Sequence, residues 1–523
     1  MPSIEKKLKN IKNQIQNPDP EVRYEALSLL EQLKVDNEED VNVDIIVELV
    51  ETAAQEFPRS VGEWDDPSYF LIDFICDYRN EEIIDCLKEN FNGFSWSAKA
   101  RALSYLIELE HDKSLSTFMD ILEQTMENGD SPLLVETLKE HPGWAVKVVE
   151  KFYRFIKHDF YKQELYELLS HLHREDVFYQ FKKEEIYPQL IQDYKKEIDN
   201  YQKYDDSYSI QHVYNSWKAG YLQCRDKMDT YLSLFVYYYS EEVKNLIAEA
   251  LSFKDPILKT RAAITALQKD IEVDSTTLLE CASNLESADI FHWELMRIRK
   301  EHLNPLEKRQ PAVARTHLFF HSLDALDDPN VPMEVNIVDY IDTQNHYGQP
   351  VRYHLAKLKI DGREDLPGWI GAFALEEGDD SLFMWDGTYI DEVPFEQYSI
   401  EEHKKRFMDR RKKDKEEQQN EIHYEYENKS EKLYIQGDTL FVELNGERMN
   451  VRLHEIKKVT IETIKSGFLG LIKKDIIAIY NKENELVITL PETFIDYGEL
   501  ASIIYDQTSH LKEPPFIEYV EFQ

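Results

Sequence analysis

NPDPEVRYEALSLLEQL, residues 17–33, is the stretch that decides how the N-terminal part of this chain folds. Asp19 predicts a helix N-cap, and Pro20 follows at the first helical position, where its missing N–H costs nothing. The apolar positions then recur at the spacing that gathers them on one helix face: Val22, Ala26, Leu29, Leu30 and Leu33. A single helix of this length is marginal in water, so the apolar stripe predicts neighbouring helices that cover it.

Two further stretches carry parts of the same pattern. SWSAKARALSYLIEL, residues 95–109, keeps its spacing without the Asp-Pro, and KDPILKTRAAITAL, residues 254–267, keeps the Asp-Pro. The pattern Asp-Pro-x-Val-Arg-x-x-Ala-x-x-x-Leu-x-x-Leu resembles the second helix of a HEAT repeat, a unit of roughly 40 residues. The resemblance implies stacked helix pairs over about residues 1–325. It also implies that Asp19, Arg23 and Lys259 belong to a ladder of ion pairs between adjacent repeats.

Length and composition indicate a soluble, multidomain chain. At 523 residues it is too long for one core, and 42% hydrophobic residues suffice for packed interiors. The longest apolar run, residues 231–239, is too short for a membrane span, and the N-terminal residues contain no apolar signal core, so we expect a cytoplasmic protein. The four cysteines form no CxxC pair, which favours reduced and mostly buried thiols: Cys76, Cys86, Cys224 and Cys281.

The formal charge of −40, from 101 acidic and 61 basic residues, constrains the partners. Binding to nucleic acid gains its free energy from basic side chains that release counterions, so an acidic chain is repelled by phosphates. The charge has two further interpretations. It keeps the protein in solution, or it forms an acidic concave surface that receives a basic protein, such as a nuclease-like toxin neutralised by an immunity protein.

Tyrosines are concentrated between residues 152 and 239. They include Tyr161, Tyr166, Tyr201, Tyr204, Tyr208, Tyr214, Tyr221 and the run at 237–239. Tyrosine gives a large contact area at a low entropy cost, so these side chains are candidates for lining a peptide-binding groove. The alternative is that they pack between helices with their hydroxyl groups at the rim.

After a break at residues 327–332, the period of the pattern changes from 3.6 to 2. Short runs rich in β-branched and aromatic residues, VNIVDYI, VRYHLAKLKI, GWIGAFAL, LFMWD and TYIDEV, predict a small antiparallel β module. Its turns are rich in acidic residues, including Asp379, Asp380, Asp386, Asp391 and Glu392. Their spacing does not follow the ordered ligand positions of an EF-hand loop, so we expect solvated hairpin turns rather than a calcium site.

Residues 400–421 are nearly all charged and predict a solvated helix, with Arg410, Arg411, Lys412 and Lys413 as its basic patch. Six strands then follow, EKLYIQ, TLFVEL, ERMNVRL, VTIETI, DIIAIY and ELVITL, with a closing helix at 494–508. This order resembles a pleckstrin-homology-type domain, and the resemblance implies binding of proteins or lipid head groups. Lys465, Lys473 and Lys474 are candidates for a basic rim, and an ordinary hairpin loop is the alternative.

The usual signatures of catalysis are missing from the sequence. It contains no GxSxG, no phosphate-binding loop ending in Gly-Lys-Ser or Gly-Lys-Thr, no dinucleotide fingerprint and no HExxH. His171 and His173 project about 200° apart on a helix and cannot share one metal ion, so we interpret them as surface histidines.

We therefore predict a multidomain α + β protein. Its parts are a HEAT-like solenoid at 1–328, a small antiparallel β module at 331–398, a charged helical linker at 399–421, and a β-barrel-like domain with a C-terminal helix at 422–523. The predicted function is a non-catalytic scaffold or adaptor that binds another, possibly basic, protein on an acidic or tyrosine-lined face. No catalytic, cofactor-binding or metal-binding residue is assigned, and a small-molecule ligand is left open. The alternatives are an inhibitor of a basic toxin and an enzyme whose site contains Trp369, His354 and Trp385.

Overall fold

The computed structural model describes most of the chain in two compact units, residues 1–306 (unit 1) and 307–523 (unit 2). The described residues are 4–35, 41–62, 64–78, 81–326, 331–345, 349–375, 388–420, 422–428, 431–436, 439–444, 447–466, 472–482, 485–491 and 516–517.

Unit 1 is helical. Its helices are α1 (Ile4–Gln14), α2 (Pro20–Val35), α3 (Val43–Ala53), α4 (Pro67–Ile75), α5 (Ile83–Asn90), α6 (Trp96–Glu108), α7 (Asp112–Thr125), α8 (Val135–Glu140), α9 (Pro142–Phe152), α10 (Lys162–Arg174), α11 (Lys183–Asp205), α12 (Lys218–Leu234), α13 (Glu241–Ala250), α14 (Pro256–Gln268), α15 (Ser275–Ser283) and α16 (Ala288–Arg297). Each of these helices packs mainly against helices one or two places away in the chain. The predicted helical character of the N-terminal two thirds is confirmed.

Local capping starts several of these helices where the sequence predicts. Asp255 accepts hydrogen bonds from the backbone N–H groups of Ile257 and Leu258, and Pro256 occupies the first position of α14. Helix α2 begins at Pro20, as predicted. Its buried face differs in detail, because the side chain of Arg23 is buried beside Ala26, Leu27, Leu30 and Leu33, while Val22 and Leu29 are only half-buried.

Unit 2 begins with a helix and a sheet that pack together. The elements are α17 (Gln310–Ala325), β1 (Pro332–Gln344), β2 (Pro350–Ile360), β3 (Leu366–Ala374), β4 (Tyr389–Ile390) and α18 (Ile400–Asn420). The strands form an antiparallel sheet in the order β1-β2-β3-β4, and α17 contacts its first three strands. The predicted end of the helical domain at 328 therefore follows α17, whereas the contacts divide the chain before this helix. The predicted strand LFMWD lies outside the described residues.

Helix α18 contacts this sheet through several side chains, and Phe407 is the one that enters the core. Phe407 is buried, and its ring stacks on that of Trp369 with centroids 4.1 Å apart. Arg410 and Arg411 lie over the rings of Tyr389 and Tyr353, at 4.0 and 4.3 Å from the ring centroids. The predicted basic patch therefore contributes two of its four side chains to cation–π contacts within unit 2.

The remaining strands are β5 (Ile422–Asn428), β6 (Glu431–Gln436), β7 (Thr439–Leu444), β8 (Glu447–Arg452), β9 (Ile456–Ser466), β10 (Ile472–Asn481), β11 (Leu486–Pro491) and β12 (Phe516–Ile517). They form two four-stranded sheets, β5-β6-β7-β8 and β11-β10-β9-β12, and β12 pairs parallel with β9. Apolar side chains of both sheets share one core, which includes Leu433, Val442, Val459 and Ile479.

The predicted β-barrel-like domain is not a closed barrel in the part of the chain that the structure describes. The strands lie in two separate sheets, because β8 and β9 follow each other in the chain but belong to different sheets. All six predicted strands are present, and the sequence analysis missed β5 and β12. The predicted closing helix at 494–508 lies outside the described residues.

Candidate functional site

A cleft of about 720 Å³ opens in unit 1 at the N-terminal ends of α4 and α6. The connection between α3 and α4 and the two helix starts line it. The lining residues are Gln55, Phe57, Pro58, Ser60, Gly62, Asp65, Asp66, Pro67, Ser68, Gly93, Phe94, Ser95 and Ser97. Serine, glycine and aspartate dominate this set, so the wall of the cleft is mostly polar.

Hydrogen bonds tie the two helix starts together. Asp66 caps α4 by accepting from the backbone N–H of Tyr69 (3.1 Å), and it also accepts from the hydroxyl of Ser95 (2.7 Å). The backbone N–H of Ser95 donates to the Ser68 hydroxyl (3.1 Å), which donates to the carbonyl of Ala53 (2.7 Å). Because each of these groups has a partner, the wall of the cleft is held in one arrangement.

Gly93 allows the chain to pass close to α3. A Cβ atom at this position would overlap with the carbonyl oxygen and the side chain of Ala54. Only glycine fits such an approach without a shift of backbone atoms, so this residue sets the depth of the cleft beside Phe94.

A buried ion pair supports the connection between α3 and α4. Arg23 donates to both carboxylate oxygens of Asp65, with a distance of 2.7 Å from Nε to Oδ1, and its Nη1 donates to the carbonyl of Asn17 (2.7 Å). Both side chains are 1% exposed. The hydrogen bonds from Arg23 hold the pKa of Asp65 below its usual range. The charge of Asp65 is therefore neutralised within the protein.

The ion pairs of Arg23 and Lys259 differ from those of the predicted ladder with Asp19 in their acidic partners. Arg23 does pair with an aspartate at the start of a following helix, but that residue is Asp65, while Asp19 caps its own helix through the backbone N–H of Glu21. Lys259 pairs with Glu280 at 2.7 Å. The sequence pattern indicated the basic residues, whereas the acidic partners come from other segments.

Exposed aromatic side chains adjoin residues that line the cleft. Tyr24 and Trp64 form an edge-to-face pair with ring centroids 5.3 Å apart, and Trp96 and Phe160 form another at 5.8 Å. These four side chains are 38 to 56% exposed. A Cβ on Gly62 would lie 3.0 Å from Nε1 of Trp64, and Trp96 stands between two lining serines, so each pair adjoins the cleft.

The sequence analysis did not single out these aromatic residues. In α6 the buried face includes Ala98, Ala102 and Leu106, and Trp96 lies two positions before Ala98, on roughly the opposite side of the helix. A tryptophan off the apolar face of its helix is the signal that would have found it, because such a side chain is unusual on a surface without a contact to make.

Six of the ten tyrosines predicted as groove candidates are core residues, whereas Tyr204, Tyr208, Tyr237 and Tyr239 are half-buried. Tyr161, Tyr166, Tyr201, Tyr221 and Tyr238 are fully buried, so they do not line a groove. The alternative interpretation, packing between helices, describes them better, but their hydroxyl groups are bonded inside the unit rather than placed at its rim.

A buried charge network occupies the centre of this region. Arg225 pairs with Asp255 (2.7 Å) and Glu286 (3.0 Å), and all three side chains are at most 5% exposed. The hydroxyl of Tyr221 donates to Asp255 (2.7 Å), and Tyr214 donates to Glu286 (2.9 Å). Burial raises the pKa of Glu286, and the charge of Arg225 opposes that rise. The network joins α12, α14 and the segment after α15, which is a structural role.

The residues of the enzyme alternative are part of the core of unit 2, as far as they are described. Trp369 stacks on Phe407 and is buried. His354 is buried with its Nε2 3.1 Å from the side-chain oxygen of Gln310, and burial lowers its pKa to about 4. Trp385 lies outside the described residues. These two described side chains contribute packing, and the enzyme alternative gains no support from their positions.

The remaining candidates are placed as follows. His173 is fully buried between Phe178 and Tyr238, which corrects its interpretation as a surface residue. Cys76, Cys86, Cys224 and Cys281 are free thiols, and Cys86 is the half-buried one. Asp391 pairs with Arg406 at 2.9 Å, while Asp379, Asp380 and Asp386 lie outside the described residues. Lys465 pairs in register with Lys473, and the loop at 467–471 between their strands lies outside the described residues.

Within the ranges given above, His, Cys, Asp and Glu side chains form no group of three that would hold a metal ion. None of the described helices combines the length and the apolar character needed to cross a bilayer.

Comparisons with known proteins give no relative. No protein-family model, no curated protein and no solved structure matches this chain.

Proposed function

We propose that this protein is a non-catalytic scaffold that binds another protein through unit 1, at the cleft formed by the N-terminal ends of α4 and α6. The observation that carries the proposal is the pair of exposed aromatic contacts, Tyr24 with Trp64 and Trp96 with Phe160, which adjoin residues that line a polar cleft. Trp and Tyr are enriched at the centre of protein interfaces, since they give a large contact area at a low entropy cost.

The organisation of unit 1 supports this proposal. Each helix packs onto near neighbours in the chain, which is the contact pattern of a HEAT-like solenoid, and we propose that architecture for residues 1–306. Solenoids commonly present extended surfaces to protein partners. For residues 422–523 we propose a pleckstrin-homology-like domain, supported by four consecutive strands in one sheet and the next three in another.

Site-specific photocrosslinking tests the proposal. Ser97, an exposed residue on the lip of the cleft, is replaced by p-benzoylphenylalanine, and the full-length protein is irradiated in the source cells. We expect one discrete adduct, whose second component then forms a stoichiometric complex with the protein in purified form. The same replacement at Tyr179, which is 85% exposed and distant in sequence, is the control. Adducts that are absent, or identical at both positions, would contradict the proposal.

The formal charge of −40 favours one particular kind of scaffold, an inhibitor that captures a basic toxin. In that case the crosslinked partner is itself toxic when produced alone, and co-production of this protein restores growth. If growth is not restored, the inhibitor function is rejected and the general scaffold function is retained.

A further inference from the structure

We propose that the cleft takes a cationic, extended segment of the partner, with Lys or Arg side chains over the two aromatic pairs and beside Asp66. This inference rests on the proposed function, because it names the chemistry of the segment that the scaffold would bind. It is carried by three features of the described residues: a carboxylate without a cationic partner, exposed aromatic rings and the local balance of charge.

Asp66 is the uncompensated carboxylate. It lies in the wall of the cleft, half-buried, and accepts hydrogen bonds from the backbone of Tyr69 and the hydroxyl of Ser95. These donors are neutral, and among the described side chains no Lys or Arg forms an ion pair with Asp66. Its neighbour Asp65, in contrast, is paired with Arg23. A partly desolvated carboxylate with only neutral donors gains from a cation that enters the cleft.

The aromatic pairs have the faces that a cation needs. In each pair the rings are nearly perpendicular, at 89° and 87°, and all four side chains are partly exposed. Phe160 also meets Tyr161 edge-to-face at 4.8 Å, so Tyr24, Trp64 and Trp96 are the rings most open to a cation. Elsewhere in the protein Arg410 and Arg411 cover aromatic rings at 4.0 and 4.3 Å. No Lys or Arg in the described ranges lies over Tyr24, Trp64, Trp96 or Phe160.

The charge of the surrounding chain favours the same occupant. In residues 1–150 acidic residues outnumber basic ones by more than two to one, whereas residues 151–306 are nearly balanced. Glu56 is exposed beside the lining residues and adds to this excess, which Arg59 on the same connection reduces only in part. A cationic segment is attracted to this region over a distance of about 10 Å at moderate salt, and an acidic segment is repelled.

The size of the cleft limits the occupant to a segment. About 720 Å³ lies within the range of pockets that enclose small ligands, roughly 300–1,000 Å³, so it holds a few side chains and not a folded domain. Ser60 and Ser97 are exposed residues of the lining, and the backbone of an extended segment would lie beside them.

Defined peptides test the inference with the full-length protein. The probes are fluorescein-labelled twelve-residue peptides of alternating Gly-Lys-Gly-Arg or, as the neutral control, Gly-Gln-Gly-Asn, and the readout is fluorescence anisotropy. We expect the cationic peptide to bind at least about ten-fold more tightly than the neutral one, with an affinity that falls as salt rises.

Each variant has a control that removes the same charge or an exposed aromatic ring elsewhere in unit 1. Asp66→Asn keeps an oxygen that caps α4, and Asp44→Asn removes the same charge from an exposed position of α3 in the same acidic third of the chain. Trp96→Ala removes an exposed ring beside the cleft, and Tyr179→Ala removes one elsewhere. We expect Asp66→Asn and Trp96→Ala each to weaken binding of the cationic peptide about five- to ten-fold. The two control substitutions should weaken it less than about two-fold.

Two results would overturn the inference. One is equal binding of the cationic and neutral peptides. The other is an equal loss of affinity in Asp66→Asn and Asp44→Asn, which would mean diffuse attraction to the acidic surface. Either result leaves the scaffold function intact if a specific adduct still forms at position 97. A missing adduct rejects the scaffold itself, so the two failures are distinguishable.

Discussion

Two parts of unit 1 contain the same kinds of side chain and use them differently. Around Arg225, two carboxylates and several tyrosine hydroxyl groups meet one guanidinium group in the interior. Around Arg23, one carboxylate is neutralised, a second at Asp66 lies open to the cleft, and the aromatic rings nearby are exposed. Residue type alone therefore does not identify a binding surface. Whether a polar group is available to a partner depends on how many hydrogen bonds and ion pairs it already makes inside the protein.

The largest expected effect concerns the buried charge network around Arg225. Arg225→Ala leaves Asp255 and Glu286 buried without their cation, and removing one member of such a group costs about 3 to 5 kcal/mol. We expect this loss in the free energy of unfolding from urea titration followed by circular dichroism. Lys195→Ala, which breaks the half-exposed pair with Glu242, is the control and should cost less than about 1 kcal/mol. Similar costs for both variants would remove the basis of the comparison.

We also expect the free energy of unfolding to depend on pH through His173, another buried polar group. Burial lowers its pKa from 6.5 to about 4, so the unfolded chain binds a proton more readily than the folded protein between these values. Stability is therefore complete above pH 6.5 and falls by up to about 3 kcal/mol as the pH drops through this window. Urea titrations at pH 7 and 4.5 should show a smaller pH dependence for His173→Gln than for the unchanged protein. Equal dependence in the two proteins would show that His173 is not responsible.

A smaller loss of stability is expected from a substitution in the wall of the cleft. Gly93→Ala introduces a Cβ atom that overlaps with Ala54, and such overpacking costs typically about 1 to 3 kcal/mol. Gly143 in α9 is the matched control, since no heavy atom lies within 4 Å of an added Cβ there. We expect Gly143→Ala to be neutral or stabilising by up to about 1 kcal/mol, because alanine favours helix. A neutral Gly93→Ala variant would mean that α3 moves without cost.

The smallest expected change in stability belongs to the exposed aromatic pair. Trp96→Ala loses an edge-to-face contact with Phe160 at the surface, worth about 0.5 to 1.5 kcal/mol. Tyr166→Ala, which truncates a fully buried ring, should cost about 3 to 5 kcal/mol. Thermal and urea unfolding measure both. A loss at Trp96 as large as that at Tyr166 would identify the exposed ring as a structural residue rather than a binding one.

Several parts of the fold were predictable because they depend on neighbours in the chain. The start of α2 at Pro20 follows from local capping, and the six C-terminal strands follow from a period of two. The predicted barrel-like domain consists of two sheets and not of a closed barrel, because strand order alone does not say whether the first and last strands pair. Strand β12 was missed because its two residues carry no period and pair with β9, far away in sequence.

The candidate site was less predictable than the helices that carry it. The sequence indicated that Arg23 would pair with an acidic residue, but Asp65, 42 positions further on, becomes its partner only when α2 and α4 pack together. The burial of the tyrosines and the exposure of Trp96 likewise depend on which helix faces meet. Apolar and aromatic residues obey the same patterns in a core and at a surface, so the pattern alone does not separate them.

The sequence by itself determined the helix starts, the strands, the change from helical to β structure, and the acidic excess of the first 150 residues. Each of these is a property of residues close together in the chain or of a simple sum of charges. Tertiary structure alone decided that Asp65 is neutralised while Asp66 is not, and that two aromatic pairs lie beside one cleft. The physical reason is that solvation and ion pairing depend on contacts between helices, and local sequence does not specify which side chains those contacts cover.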